Sequence, residues 1–143
     1  MATPPGTNVR GFLTDDEGEL LSALACEAGR LGPVLEIGSW CGRSTIWLAQ
    51  GAKLAGTVVL ALDHHRGSEE HQPGEMFFDA DLVDGDGRVD TLREFRRHIA
   101  QAGVEDTVIP IVAGTQQANA ILPHTLGMVF IDGGHSLEAA LTD

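Results

Sequence analysis

Apolar positions along this chain recur in two rhythms, one of amphipathic helices and one of short buried strands. Leu20, Leu21, Leu24, Ala25 and Ala28 form a stripe at helical spacing. Thr14-Asp15-Asp16-Glu17 precedes it in the order of a capping box, and Gly29 or Gly32 ends it. Val34–Ile37 is an unbroken apolar-rich run, Gly38–Gly42 a glycine-bounded turn, and helical spacing resumes at Ile46 and Ala49. Thr57–Leu62 is β-branched and apolar and ends at Asp63. Residues 64–90 show little periodicity and predict a long loop. Asp90 caps the next helix, whose buried face is Leu92, Phe95, Ile99 and Ala102, with Gly103 at its C′ position. Arg93, Arg96, Arg97 and His98 are expected on its solvated faces. Thr107–Val112 is the third strand, and Pro110 removes one ladder donor, which suits an edge. Ala113-Gly114-Thr115 turns into a short helix, Gln116–Leu122. Met128–Ile131 is wholly apolar, as a buried parallel strand should be, and a last helix starts near Ser136. Strands alternating with helices predict an α/β domain over residues 11–143, preceded by a flexible arm, residues 1–10, that holds Pro4, Pro5 and Gly6.

In such a sheet, ligands bind beyond the carboxyl ends of the strands. Glu36, Asp63, Thr115 and Asp132 stand at four such ends. Strand, glycine turn and helix bring backbone N–H groups against a nucleotide-like ligand, and Gly38 and Gly42 let the chain approach it. Ser44 is placed to cap the following helix. Asp63 follows Gly38 at near the roughly 20-residue interval at which an acid reaches ribose hydroxyls. An ordinary turn with a surface aspartate is the alternative. Thr115 is a candidate contact or simply an N-cap. His135 is a candidate general base, or a hydrogen-bonded turn residue. The long loop holds His64, His65, His71 and several acids; it reads as a solvated loop in preference to a metal centre. Within it, Gly67–Phe78 is expected to be a substrate lid, with Met76, Phe77 and Phe78 as its apolar edge or as anchors to the core.

Glu36-Ile37-Gly38-Ser39-Trp40-Cys41-Gly42 resembles the first motif of class I S-adenosylmethionine-dependent methyltransferases. There, an acid ends the first strand and a Gly-x-Gly-x-Gly turn wraps the methionine part of the cofactor. Trp40 replaces the middle glycine, as a bulky residue does in a small-molecule O-methyltransferase-like subset. Phe130-Ile131-Asp132-Gly133-Gly134-His135-Ser136 is similar to that subset's fourth-strand motif, and His64–Gln72 to the loop after its second strand. The resemblance runs from about Gly32 to Asp143. It implies a Rossmann-like doubly wound parallel sheet in three layers and S-adenosylmethionine as cofactor. Glu36, Gly38, Ser39 and Gly42 would hold the methionine part and Asp63 the ribose, with Ser44, His64 and Thr115 completing the cofactor set. In metal-dependent catechol-type members, an acid like Asp132 binds Mg2+ and a lysine three residues on is the base; here that residue is His135. The implied reaction is methyl transfer to a small-molecule acceptor. A metal-dependent hydroxylase on the same fold, or a non-catalytic cofactor-binding half-domain, are the other readings. A nicotinamide dehydrogenase would need glycines at Trp40 and Arg43. The family has about seven strands and four are visible, so the C-terminal strands are expected to be missing. The bare apolar edge then calls for a partner chain, a homo-oligomer included.

Composition narrows this further. With 143 residues, 43% of them hydrophobic, one domain with a real core is expected. The net charge of −12 argues against nucleic acid and anionic membrane as partners. The two cysteines, Cys26 and Cys41, imply no disulfide framework. With no run of spanning length and no leader-like order at the N-terminus, a cytoplasmic location is the expectation.

Overall fold

The computed structural model describes residues 8–134 and 141–143. The element order is α1 (Asp15–Ala28), β1 (Val34–Ile37), α2 (Arg43–Ala55), β2 (Val59–Asp63), α3 (Leu92–Gln101), β3 (Val108–Val112), α4 (Thr115–Ala118) and β4 (Met128–Ile131). The strands form one parallel sheet in the order β3-β2-β1-β4. In register, Leu35 lies between Leu60 and Val129. β3 is an outer strand, so the donor that Pro110 lacks is tolerated there.

The capping box forms as the sequence predicts. The Glu17 N–H donates to Thr14 Oγ1 at 3.3 Å, and the Thr14 N–H to Glu17 Oε2 at 2.9 Å. α2 is buried on almost every side. Its sheet-facing side packs with Val34, Val59, Ala61 and Val108, in a core that also takes Leu21 and Ala25 from α1 and Phe95 and Ile99 from α3. α1 covers its outer side closely. A methyl group at Gly51 would lie 2.0 Å from the Ser22 carbonyl oxygen, and one at Gly18 would lie 2.4 Å from the Trp47 indole.

The other face of the sheet presents Leu35, Ile37, Leu60 and Leu62, packed with Ala118 of α4. β4 departs from expectation here. Val129 is 48% and Ile131 53% exposed, so this strand is half-buried and not fully covered. It is the outer strand on its side, and α4 sits nearer β2.

Three local expectations are corrected. His98 is not solvated. Lying one helical turn from Phe95, it is drawn inward, and its Nδ1 donates to the Cys41 carbonyl at 2.7 Å. Arg97 remains outside, paired with Glu94 at 2.6 Å. α4 ends at Ala118, and Thr115 lies inside its first turn, with Gly114 in the N-cap position. The distal part of the predicted arm is tied down: Arg43 donates to the Val9 carbonyl at 2.8 Å and Arg10 pairs with Asp79, while just beyond the arm Arg43 also donates to the Leu13 carbonyl (2.6 Å) and pairs with Asp15 at 3.0 Å. Residues 1–7 of that arm, and residues 135–140 at the start of the last predicted helix, lie outside the described residues. Among the described residues, no helix is long and apolar enough to cross a membrane.

The α1–α2 contact generates a stability prediction. Ala exceeds Gly in helix propensity by about 1 kcal/mol. At Gly51 that gain is opposed by overlap with backbone, which only helix separation can relieve, so Gly51→Ala is expected to destabilise by a net ~1–3 kcal/mol. Gly85→Ala, in open space, is expected to stay within about 0.5 kcal/mol of wild type. Urea unfolding of both variants checks this; equal midpoints would refute the tight crossing.

Candidate functional site

The carboxyl ends of β1, β2 and β4 and the turn after β3 open into one cleft of about 510 Å3. Gly38, Trp40, Asp63, His64, Thr115 and Asp132 line it, joined by Glu69, Glu70 and His71 from the long loop. Of the ten sequence-predicted site residues, the cleft gathers five: the cofactor candidates Gly38, Asp63, His64 and Thr115, and the catalytic and metal candidate Asp132; among the described residues no lysine or arginine lines it.

Asp63 organises the rim. Its Oδ2 accepts the Trp40 N–H at 2.8 Å and its Oδ1 the His65 N–H at 2.7 Å. Trp40 (φ 45°) and His65 (φ 61°) are the non-glycine residues with left-handed backbone among those described. That conformation costs a bulky residue roughly 1–2 kcal/mol. The two charge-assisted bonds offset this cost and fix both neighbouring turns around one carboxylate. Each oxygen retains capacity for a further donor.

The glycines act differently from the simplest reading. Gly38 (φ 88°) lines the cleft, but the space its missing side chain leaves is filled by protein: a Cβ there would stand 2.3 Å from the Asp132 carbonyl oxygen. The turns after β1 and β4 thus nest together, with the Asp132 N–H donating to the Ile37 carbonyl at 2.8 Å. Gly42 (φ 93°) heads α2, and a Cβ there would press on Phe95 at 3.2 Å.

Glu36, Ser39 and Ser44 lie beneath the cleft and do not line it. Ser44 does not cap α2. Its hydroxyl and that of Thr45 both donate to the Glu36 carboxyl, which is fully buried. Burial pushes the Glu36 pKa from 4.5 up to about 7, against the two hydroxyl bonds, with the Asp132 and Asp63 charges adding to the rise. Ser39 is buried; its carbonyl accepts the Gly42 N–H at 2.8 Å, and its Oγ has no protein partner.

His65 also departs from the solvated-loop reading. It is buried, with Nδ1 2.8 Å from Thr91 Oγ1, its ring against Phe95, and Nε2 without a protein partner. Burial holds its pKa below 6.5. His64 stays exposed at the rim, its Nδ1 accepting the Arg66 N–H at 3.0 Å. Thr115 donates to Asp143 Oδ1 at 2.7 Å. Cys41 is buried beneath Trp40's turn, and burial raises its thiol pKa to about 12, so it is no nucleophile. His135 lies outside the described residues. Among the described residues, no group of three His, Cys, Asp or Glu is placed to hold a metal ion.

The loop's apolar triplet divides its roles. Phe77 meets Phe12 edge-on at 5.4 Å, while Met76 is 85% exposed. The Trp40 indole stacks on Phe12 (6.2 Å) and on His71 (5.7 Å), so the segment before α1 and the long loop meet over the glycine turn. Sequence reasoning missed Phe12 and Arg43. A bulky aromatic just before a capping box was the available signal for Phe12; Arg43 offered none that separates it from other surface arginines.

A family model described as a methyltransferase domain matches residues 35–143. Cofactor-bound Rv0187 from MTB is similar at 29% identity, over 90% of this chain and 48% of its own, with a TM-score of 0.60. The O-methyltransferase from Bacillus cereus in complex with SAH is similar at 27% identity, over 88% and 48%, with a TM-score of 0.58. The O-methyltransferase TomG from Streptomyces achromogenes, in complex with SAM, shares the fold at 22% identity, over 85% and 45%, with a TM-score of 0.57. The chain spans about half the length of these structures. The Rossmann-like parallel sheet expected from the sequence is the fold observed.

Glu36 generates a pH prediction. Its folded pKa is raised, so the stability it contributes is full below about 4.5 and is lost as pH rises toward about 7. At ~1.4 kcal/mol per pKa unit, that loss is roughly 3 kcal/mol. Glu36→Gln removes the titration. The stability of the variant relative to wild type is therefore expected to improve by about that amount between pH 4.5 and 7.5. Urea unfolding at both pH values reads it, and a constant difference would show that Glu36 does not titrate in this range.

Proposed function

The chain belongs to the methyltransferase-domain family, and on that premise we propose that it binds S-adenosylmethionine in the strand-end cleft and directs its methyl group to a small-molecule acceptor. The observation that carries this reading is Asp63, an acid at the tip of β2 inside the cleft, immobilised by the Trp40 and His65 N–H groups. A carboxylate so fixed suits the two hydroxyls of a ribose. The cleft also suits the cofactor's charge. Asp63, Asp132, Asp143, Glu69 and Glu70 line it and, among the described residues, no lysine or arginine does, an environment that favours a sulfonium cation.

When bound, the cofactor supplies an electrophilic methyl group. The chain's own residues do the rest. Asp63 holds the ribose. The Gly38–Trp40 turn walls the methionine side, Glu36, Ser39, Gly42 and Ser44 supporting it from below. His64 and Thr115 border the adenine side. Asp132 sets negative charge at the end of β4, and His135 takes the acceptor's proton as the acceptor oxygen or nitrogen gains the methyl. Asp132 is the candidate Mg2+ ligand; among the described residues no group of three His, Cys, Asp or Glu gathers around it.

Two outcomes test this. Asp63→Ala is expected to weaken S-adenosylhomocysteine binding by about 1.5–3 kcal/mol, the worth of hydrogen bonds to a charged group. Calorimetry giving equal affinities for the two proteins would overturn the ribose assignment, and tighter binding of NAD would favour a dehydrogenase. His135→Ala is expected to slow methyl transfer by roughly 10²–10⁴-fold at unchanged cofactor affinity. A fully active variant would remove His135 from the chemistry.

A further inference from the structure

Glu36 lies fully buried beneath the strand-end cleft, with the Ser44 and Thr45 hydroxyls donating to its carboxyl. We propose that Glu36 sets the site's preference for the charged cofactor over its uncharged, demethylated product, by giving up a proton when a sulfonium occupies the cleft above it. The inference rests on the methyl-transfer reading.

Three observations carry it. The first is the kind of donor that holds each acid. Asp63 is held by two backbone N–H groups, which only donate, so its bonds at 2.7 and 2.8 Å favour the carboxylate. Glu36 is held by hydroxyls, which donate to a carboxylate or turn and accept from a carboxylic acid. Its surroundings therefore serve both protonation states. The second is charge. β1 lies between β2 and β4, which bring Asp63 and Asp132 to act on Glu36. Basic groups on the neighbouring elements are engaged elsewhere. Arg43 of α2 donates to the Val9 and Leu13 carbonyls and pairs with Asp15, His98 of α3 bonds to the Cys41 carbonyl, and His65 packs on Phe95. Burial and the two acids raise the Glu36 pKa to about 7, so the carboxyl is part-protonated at neutral pH. The third is position. Asp63 and Asp132 both line the cleft and both reach Glu36, so a ligand charge held between them reaches it with the opposite sign.

The sign follows directly. A sulfonium lowers the Glu36 pKa, and the proton leaves the carboxyl for the buffer. The thioether of S-adenosylhomocysteine carries no such charge, and the two ligands are otherwise alike. A ligand that lowers the pKa binds more tightly once Glu36 is ionised, so the preference for S-adenosylmethionine grows as pH rises through about 7.

Calorimetry of the full chain in buffers of different ionisation enthalpy counts the protons released as each ligand binds. At pH 7, S-adenosylmethionine is expected to release about a third of a proton more than S-adenosylhomocysteine. Their affinity ratio is expected to rise about three- to tenfold from pH 5.5 to pH 8. Glu36→Gln, whose amide suits the same two hydroxyls, should lose both differences and still bind both ligands. Thr45→Val, which removes a donor that favours the carboxylate, should move the largest excess to higher pH. Equal proton counts for the two ligands in wild type would overturn the inference. So would an excess that survives in Glu36→Gln, which would assign it to His64 or His71 in the cleft wall. Wild-type protein that binds neither ligand would defeat the methyl-transfer reading itself and take the inference with it.

Discussion

The strand-end rim depends on one carboxylate accepting two backbone N–H groups from residues in an unfavourable conformation. Trp40 and His65 belong to turns that follow different strands, and each sits in the left-handed region without being glycine. Neither turn would hold that shape alone, since roughly 1–2 kcal/mol opposes each. Asp63 bonds to both at 2.7–2.8 Å and converts two separate strained turns into one braced unit. The consequences spread outward. Trp40's indole is presented where Phe12 and His71 can stack on it. The imidazole of His65 is turned inward against Phe95, which fixes the start of the long loop to α3.

The floor beneath that rim follows a different economy. Glu36 shares its side of the sheet with Val34, facing α2, and its charge is therefore poorly solvated. Two hydroxyls at the start of α2 satisfy the carboxyl but do not restore its ordinary acidity. Burial outweighs hydrogen bonding, and the carboxyl titrates near neutrality. What it achieves is a polar link between β1 and the first turn of α2, a junction where Gly42 supplies the N-cap backbone but no side-chain cap. That link keeps the glycine turn in register with the helix that follows it.

Much of this was legible in the sequence. The capping box was read with its partner residues, Thr14 and Glu17, and the strand at Val34–Ile37 with its bounds, because both depend on neighbours in the chain. Asp63 at the tip of β2 was read for the same reason. Glu36 illustrates the limit: a strand-end acid was expected at the rim, whereas period-two alternation places it on the α2 side, with Ser44 and Thr45 as the hydroxyls it meets. His98 illustrates another. Its partner is the Cys41 carbonyl, distant in sequence, and no local pattern separates an inward histidine from an outward one beside three arginines. β4 looked like a fully buried strand because apolarity alone was visible, whereas its position at the sheet's edge decides its exposure.

The acids of the cleft bring these threads together. Asp63 and Asp132 both raise the pKa of Glu36, so the strand ends already repel one another electrostatically. A folded chain bears this repulsion only because Asp63 is held by two N–H groups and Glu36 can take up a proton. A cationic ligand in the cleft reverses the sign of that interaction with each acid at once. Charge that is a burden on the protein alone then becomes attraction, strongest where Asp63 is rigid, because a fixed carboxylate has no reorganisation to undergo on binding. The rim thus concentrates negative charge, with the share carried by Asp63 held in place by two N–H groups. The same clustering that weakens the isolated fold near neutral pH is what such a ligand would stabilise.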